Sequence, residues 1–309
     1  MSSVAWVAVD WGTSNVRVWL LNADHQVMAS RHSADGMAKI GRHQYEPILL
    51  GLIDDLLDAD ATYDVLICGM AGARQGWLEV PYQGLAKDSA LLPTSTCVPT
   101  EDKRLKVRIF AGLSQSSPPD VMRGEEMQIL GFLSGHSDFV GVLCLPGTHN
   151  KWVHLQKGAV KSFKTVMTGE MFHLLGQHSV LKHTVALKMM SDEQVLNTEG
   201  FLRGVCDGAD KPDLLLAQLF TIRAADLLLH GTEQASTQYL SGLLLGTELA
   251  MMRSFYQSYP IVIIGDSPLA LYYQVACRHL QIDATIAKEN ELALSGLKQM
   301  YQRSVRGLT

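Results

Sequence analysis

Apolar residues recur along this chain in two spacings, and the order of those spacings is written twice. Val4–Asp10 is an apolar run with the length of a buried strand, and Val16–Leu21 alternates Val16, Val18 and Leu20 with Arg17 and Trp19. A polar turn at 22–25 leads to a third strand, Gln26–Arg31. Helical spacing covers Glu46–Leu57, and Asp64–Cys68 reads as a strand that runs into a glycine-rich loop, Gly69–Trp77. Residues 78–108 carry Pro81, Pro93 and Pro99 and read as irregular, with room for short strands, before a helix at Gly124–Leu133. Strand, turn, strand, turn, strand then return as Phe139–Leu145, Lys151–Leu155 and Val160–Met167. Helical patterns follow at Gly169–His178, Asp213–His230 and Tyr239–Tyr256. The chain closes with a strand at Pro260–Ile264, a helix at Pro268–Leu280, a short strand near Ala284–Ala287 and a helix at Glu291–Val305. Three antiparallel strands followed by helices and further strands, twice over, predict an α/β protein with two mixed sheets. The expected domains are 1–138 and 139–309, with the final helix able to pack back on the first.

Composition narrows the function classes. Of 309 residues, 47% are hydrophobic and 18% charged, enough apolar material for two cores. The net charge is −5 and no Lys/Arg run exceeds two residues, which argues against a nucleic-acid or anionic-membrane surface but not against a small polyanion in a local pocket. Cys68, Cys97, Cys144, Cys206 and Cys277 are odd in number and widely spaced, so neither a disulfide framework nor a zinc site is indicated. The eleven histidines form no HxH or HExxH arrangement. The N-terminus MSSVAWVAVDW has no basic leader region and no apolar run reaches membrane-span length, so the expected compartment is the cytoplasm.

Each restart of the pattern carries the same turn. Gly12, Thr13, Ser14 and Asn15 follow the first strand, and Gly147, Thr148, His149 and Asn150 follow its counterpart roughly half a chain later. Either turn alone can be a hairpin that needs Gly and Asn for positive φ. Such a turn also gathers backbone N–H groups, hydroxyls and an amide at one point, where they can cradle phosphate. The neighbours favour the second reading. Asp10, ending the first strand, can hold Mg²⁺ through its waters, and Lys151 can neutralise phosphate charge.

Two such hairpins, one per domain and expected to face each other across a cleft, resemble the phosphate-1 and phosphate-2 turns of the actin-like ATPase and sugar-kinase superfamily. The resemblance implies two ribonuclease H-like domains and use of ATP with Mg²⁺. It also implies an adenosine loop, which IVIIGDSPLALYYQVAC fits with Gly265 at the turn, Asp266 or Ser267 as helix cap and Pro268 in the first turn. Asp266 is acidic where many relatives have only small neutral residues, and can either repel phosphate or bind a ribose hydroxyl as well as cap the helix. In related kinases the base that takes the acceptor proton opens a helix shortly before the second hairpin. VMRGEEMQILGF lies there, offering Glu125 and Glu126. Adjacent helix residues diverge by about 100°, so one of the two is expected to face the substrate; analogy leans towards Glu126.

The segments DWGTSNVRVWL, GMAGARQGWLEVPY, VMRGEEMQILG, LPGTHNKWV, TVMTGEMFHLL and LSGLLLGTELA together resemble the 2-dehydro-3-deoxygalactonokinase family over roughly residues 4 to 280. That resemblance implies ATP-dependent phosphorylation of the 6-hydroxyl of 2-dehydro-3-deoxy-D-galactonate. Such an acid needs a forked cation and polar side chains, for which Arg74 and Arg123 are the candidates, with Trp77 against the carbon chain. Thr168 and Glu170 are expected to line the cleft, and Gly246 to let backbone approach the nucleotide. Each has a plainer alternative: a solvated loop arginine, an ion pair, a helix-start carboxylate, or helix packing. A kinase for another sugar acid or ketose, a phosphate-releasing enzyme and a nucleotide-dependent regulator remain alternatives, and a homodimer is left open as the assembly.

Overall fold

The first strand pattern folds as a meander, β1 (Trp6–Trp11), β2 (Val16–Leu21) and β3 (Val27–Ser33), with antiparallel pairing. The computed structural model describes residues 3–86, 90–186, 199–265, 268–287 and 291–305. Eight α-helices are described: α1 (Tyr45–Ile53), α2 (Glu125–Gly135), α3 (Thr168–His178), α4 (Glu199–Asp210), α5 (Leu215–Leu229), α6 (Glu233–Tyr256), α7 (Pro268–His279) and α8 (Leu292–Val305). The chain divides into two units, residues 1–139 with 157–161 and 291–309, and residues 140–156 with 162–290.

In the first unit β4 (Tyr63–Gly69) pairs parallel with β1, and β7 (Leu105–Phe110) parallel with β4. The short β5 (Gln83–Gly84) and β6 (Ser95–Val98) precede β7, and β6 closes the sheet antiparallel to it. The sheet order is β3-β2-β1-β4-β7-β6. β1 lies at its centre with Trp6, Val7, Ala8, Val9 and Trp11 all buried, which is why its sequence is a continuous apolar run rather than an alternation. α1 buries Tyr45, Leu49 and Ile53, four residues apart, and gives way to a 3₁₀ turn at Asp54–Leu56, so the helix ends before Leu57. Trp11, Tyr45 and Trp77 form an aromatic cluster in this core, with Tyr45 and Trp77 stacked at 5.8 Å. A second, three-stranded sheet joins β5 to β8 (Leu113–Ser116) and β9 (Pro119–Met122). α8 packs on α2 at glycines: a Cβ on Gly131 would lie 2.0 Å from the Leu292 carbonyl, and one on Gly296 2.2 Å from that of Met127.

The second unit repeats the plan. β10 (Val140–Leu145), β11 (Asn150–Gln156) and β12 (Ala159–Val166) form the meander, followed by β13 (Ile261–Ile263) and β14 (Ala284–Ile286). The order β12-β11-β10-β13-β14 matches β3-β2-β1-β4-β7, with β10–β13 and β13–β14 parallel. That shared order is the ribonuclease H-like arrangement, and the chain contains it twice, once in each unit. α4, which the hydrophobic pattern did not reveal, lies against α6. A Cβ on Gly204 would fall 2.3 Å from the Tyr239 carbonyl, and one on Gly242 2.0 Å from that of Phe201. Backbone thus meets backbone along these two helices, and the glycines that weaken α4 as an isolated helix are what let it pack.

Candidate active site

In the first unit the Gly12–Asn15 turn is closed by backbone: the Gly12 N–H donates to the Asn15 carbonyl at 2.8 Å. The carbonyls of Gly12, Thr13 and Ser14 accept from Met37, Ala38 and Gly36 behind the turn, while the side chains of Thr13, Ser14 and Asn15 are exposed. Gly36 makes this backing possible, since a Cβ there would lie 2.2 Å from the Ser14 backbone. Its role was invisible in the sequence, because only the fold brings 36 to 14.

Parallel pairing of β1 with β4 sets Asp10 opposite Cys68. Asp10 accepts from Arg17 at 2.7 Å, and its other oxygen takes the Cys68 thiol at 3.7 Å. Gly69, at φ +88°, keeps a side chain away from that carboxylate, and Gly124, at φ +105°, passes close to Gly69 as it leads into α2. Glu125 and Glu126 therefore start α2 beside the end of β4. Their surroundings differ. Glu125 is half-buried and accepts from the Arg123 N–H at 2.9 Å. Glu126 is fully buried, accepts from the Gly124 N–H at 2.6 Å, and its Oε1 has no hydrogen-bond partner among the described residues. Burial first, and the Glu125 charge second, push the Glu126 carboxyl up to about 8. Burial first, and then the charges of Asp10 and Glu126, raise the Cys68 thiol, so the three groups share one neighbourhood.

Arg123 is 9% exposed. Its Nη2 donates to the Val80 carbonyl at 2.7 Å, and its guanidinium lies 4.2 Å from the centre of the Tyr82 ring. Nε and Nη1 find no partner among the described residues. Arg74 is different: it is exposed and pairs loosely with Glu79 at 3.6 Å. Trp77, expected against the substrate chain, is instead a core residue packed on Tyr45 and Trp11. Arg42, which the sequence did not single out, fastens the glycine-rich loop by donating to the carbonyls of Arg74 and Gly76.

The turn of the second unit has the same letters and another construction. The Gly147 N–H donates to Asn150 Oδ1 at 2.7 Å, and the Asn150 amide donates onward to Glu248 Oε2 at 2.8 Å and to the Tyr273 hydroxyl. Asn15 is exposed, whereas Asn150 is buried and braces its turn from below. Glu248, fully buried, also accepts from Trp152 at 2.7 Å, from Tyr273 at 2.7 Å and from Thr168. One carboxylate thus ties β11, α3, α6 and α7 together. Burial raises its carboxyl and its four donors oppose that rise. Gly169 presses the start of α3 against the turn, since a Cβ there would lie 2.4 Å from the Gly147 carbonyl. Thr148 and His149 are exposed, and His149 meets Glu170 at 2.6 Å. Lys151 is buried and donates to Thr165 at 2.9 Å.

Beside this turn lies a cavity of about 130 Å³. Its walls are mainly apolar, with Phe172, Leu244, Leu269 and Tyr272 around it, Ser241 and Thr237 as polar points, and Thr148 at the turn. A flat heteroaromatic group with a phosphate tail suits that combination. The start of α7 supplies Leu269, Tyr272 and Tyr273 to this lining. Gly265 stands between β13 and α7 at φ +150°, while Asp266 and Ser267 lie outside the described residues. Gly246 serves packing rather than nucleotide approach: a Cβ there would lie 2.1 Å from the Val205 carbonyl of α4.

Residues 10–300 match the family model described as 2-keto-3-deoxy-galactonokinase. The chain belongs to this family. It is 36% identical over 94% of its length to a Rhizobium meliloti protein named "Probable 2-dehydro-3-deoxygalactonokinase", of which the match covers 95%. It is 30% identical over 96% of its length to the 2-dehydro-3-deoxygalactonokinase of Escherichia coli K12, with 97% of that protein covered. A crystal structure assigned to a 2-dehydro-3-deoxygalactonokinase from Sinorhizobium meliloti superposes with a TM-score of 0.87 at 33% identity, covering 98% of both chains. Membership in this family makes the chain a carbohydrate kinase.

Proposed function

We propose that this kinase transfers the γ-phosphoryl group of ATP to the 6-hydroxyl of 2-dehydro-3-deoxy-D-galactonate, giving the 6-phosphate for galactonate catabolism. The reading is carried by full-length identity to relatives bearing that name. ATP places its base in the apolar cavity of the second unit and its phosphates on the Gly147–Asn150 turn, where Thr148 and His149 present exposed side chains; the Gly12–Asn15 turn of the first unit, with Thr13, Ser14 and Asn15 exposed, is itself of the kind that can cradle phosphate. The sugar acid takes Arg123 as partner for its carboxylate, because a buried guanidinium whose Nε and Nη1 have no partner among the described residues keeps donors for an anion.

Glu126 is the proposed base. Its unpartnered buried oxygen is the kind of exception that a substrate group accounts for, and its basic carboxyl suits removal of a hydroxyl proton. The proton leaves the acceptor hydroxyl for Glu126 Oε1 as the hydroxyl oxygen bonds to the γ-phosphorus and the bond from that phosphorus to the β–γ bridging oxygen breaks, releasing ADP, while Arg17 and the Cys68 thiol keep Asp10 oriented. Asp10 fits a Mg²⁺ held through water, since Mg²⁺ commonly takes one or two carboxylates and fills its remaining positions with phosphate oxygens and water. The ion would neutralise charge on the transferring phosphoryl group. A cell compartment supplied with ATP, the cytoplasm, is the proposed location. No helix among the described residues is long and apolar enough to cross a membrane.

The test is an ATP-consumption assay on the purified protein against a panel of sugar acids and ketoses. The 2-dehydro-3-deoxy-D-galactonate reaction should have the highest kcat/KM. A better acid of another configuration would replace the substrate and keep the kinase; phosphate release without any acceptor would replace the reaction.

A further inference from the structure

α5 is built inside out. Its two charged residues turn inward: Arg223 and Asp226 pair at 2.7 Å, and both meet Thr184 at 3.1 Å. Leu219 and Ile222 fill the small core formed with Leu181, Leu240 and Leu243. The outward face carries no charge. Leu216 is 83% exposed, Phe220 64% and Leu228 77%, and Leu227 and Leu229 are more than half exposed. Ala217, Thr221 and Ala225 fill the spaces between them. An apolar helix face of this extent is ordinarily covered.

We propose that this face is the contact between two copies of the chain, with α5 of one protomer lying on α5 of the other about a two-fold axis. Self-pairing follows from the chemistry of the face. It has no charge for an oppositely charged partner to read, and it has the bulky and small residues that interlock when a helix meets its own copy. The area is sufficient. Leu216, Phe220, Leu227 and Leu228 fall within about 120° of the helix and together offer on the order of 600 Å² per copy, at the upper limit of the largest apolar patch on a typical monomer and close to the roughly 800 Å² per partner of a standard interface. Neither the cavity beside Thr148 nor Asp10, Arg123 or Glu126 takes part, so the inference stands apart from the proposed reaction.

Sedimentation equilibrium on the full chain tests it, with the double variant Leu216→Glu, Phe220→Glu beside the parent. Both positions are exposed, so the fold tolerates the charges, which an unchanged circular dichroism spectrum would verify. The parent should have twice the chain mass at micromolar concentration. The variant should have the single mass, with kinase turnover within a few-fold of the parent. A monomeric parent, or a variant that remains dimeric, overturns the proposal. So does binding of the parent, but not the variant, to phosphatidylcholine–phosphatidylglycerol vesicles with no self-association.

Discussion

Two glutamates adjacent in the chain have unlike environments, and their behaviour should separate accordingly. Glu126 is buried with an oxygen unpartnered among the described residues, whereas Glu125 is half-buried and accepts from Arg123. Glu126→Gln should lower kcat by about 10²–10⁴ with ATP affinity little changed, and Glu125→Gln should act mainly on substrate KM or stability. Parallel kinetics with both substrates saturating decide this; if both variants keep kcat, the base lies elsewhere. In the parent, kcat/KM should rise with pH and level off above about 8, because only the ionised Glu126 accepts a proton. The same shift predicts a stability slope. From about 4.5 to 8 the unfolded chain ionises this group while the folded chain holds its proton, so stability falls as pH rises through that window. Glu126→Gln should flatten the slope in urea unfolding between pH 5 and 9. Asp10→Asn keeps the shape and loses the charge; turnover should fall roughly 10²–10³-fold at saturating Mg²⁺ with the melting temperature near that of the parent. Near-normal turnover would remove Asp10 from the metal's surroundings.

Among the elements, those that alternate or repeat clearly were legible from the residues alone. β2 spans the residues its alternation marks, Val16–Leu21, and the two meanders appear where the pattern repeats. β7 was not recognised, although Leu105, Val107 and Ile109 alternate with Lys106 and Arg108, because prolines before it made the whole region read as irregular. α4 was hidden by Gly200, Gly204 and Gly208, which lower helix propensity and become intelligible only against α6. Gly242→Ala should therefore lower stability by about 1–3 kcal/mol in urea unfolding, since its Cβ meets the Phe201 carbonyl. The site shows the same division. Asp10, the two turns and the paired glutamates stand in local motifs. Glu248 meets Asn150 and Trp152 from almost a hundred residues away, a pairing no local pattern encodes. Glu248→Gln places an NH₂ where at least one of four donors now points. It should raise the ATP KM about 10-fold or more and lower the melting temperature, while the sugar-acid KM stays near that of the parent. An unchanged ATP KM would make Glu248 a brace for the fold alone.

At the scale of the whole chain, the cavity proposed for adenosine is lined only by residues of the second unit, from β11, α3, α6 and α7 and the turn beside them. Arg123 and Glu126, proposed to meet the sugar acid, belong to the first. The nucleotide should therefore bind without the acid. A non-hydrolysable ATP analogue alone, at about 100 times its Kd, should add roughly 2.7 kcal/mol to the stability of the part of the chain it binds, seen as a rise of several degrees in melting temperature. Ser241 lines the cavity from α6, so Ser241→Trp fills the space with an indole and should abolish that rise. The variant alone should melt close to the parent, because Ser241 is partly exposed and its side chain holds no described structural contact in place. Galactonate-type acids should still shift its melting temperature, since their proposed partners are untouched. If the analogue stabilises the variant as it does the parent, adenosine binds elsewhere. If it stabilises neither protein until the acid is present, the nucleotide site is not complete within the second unit.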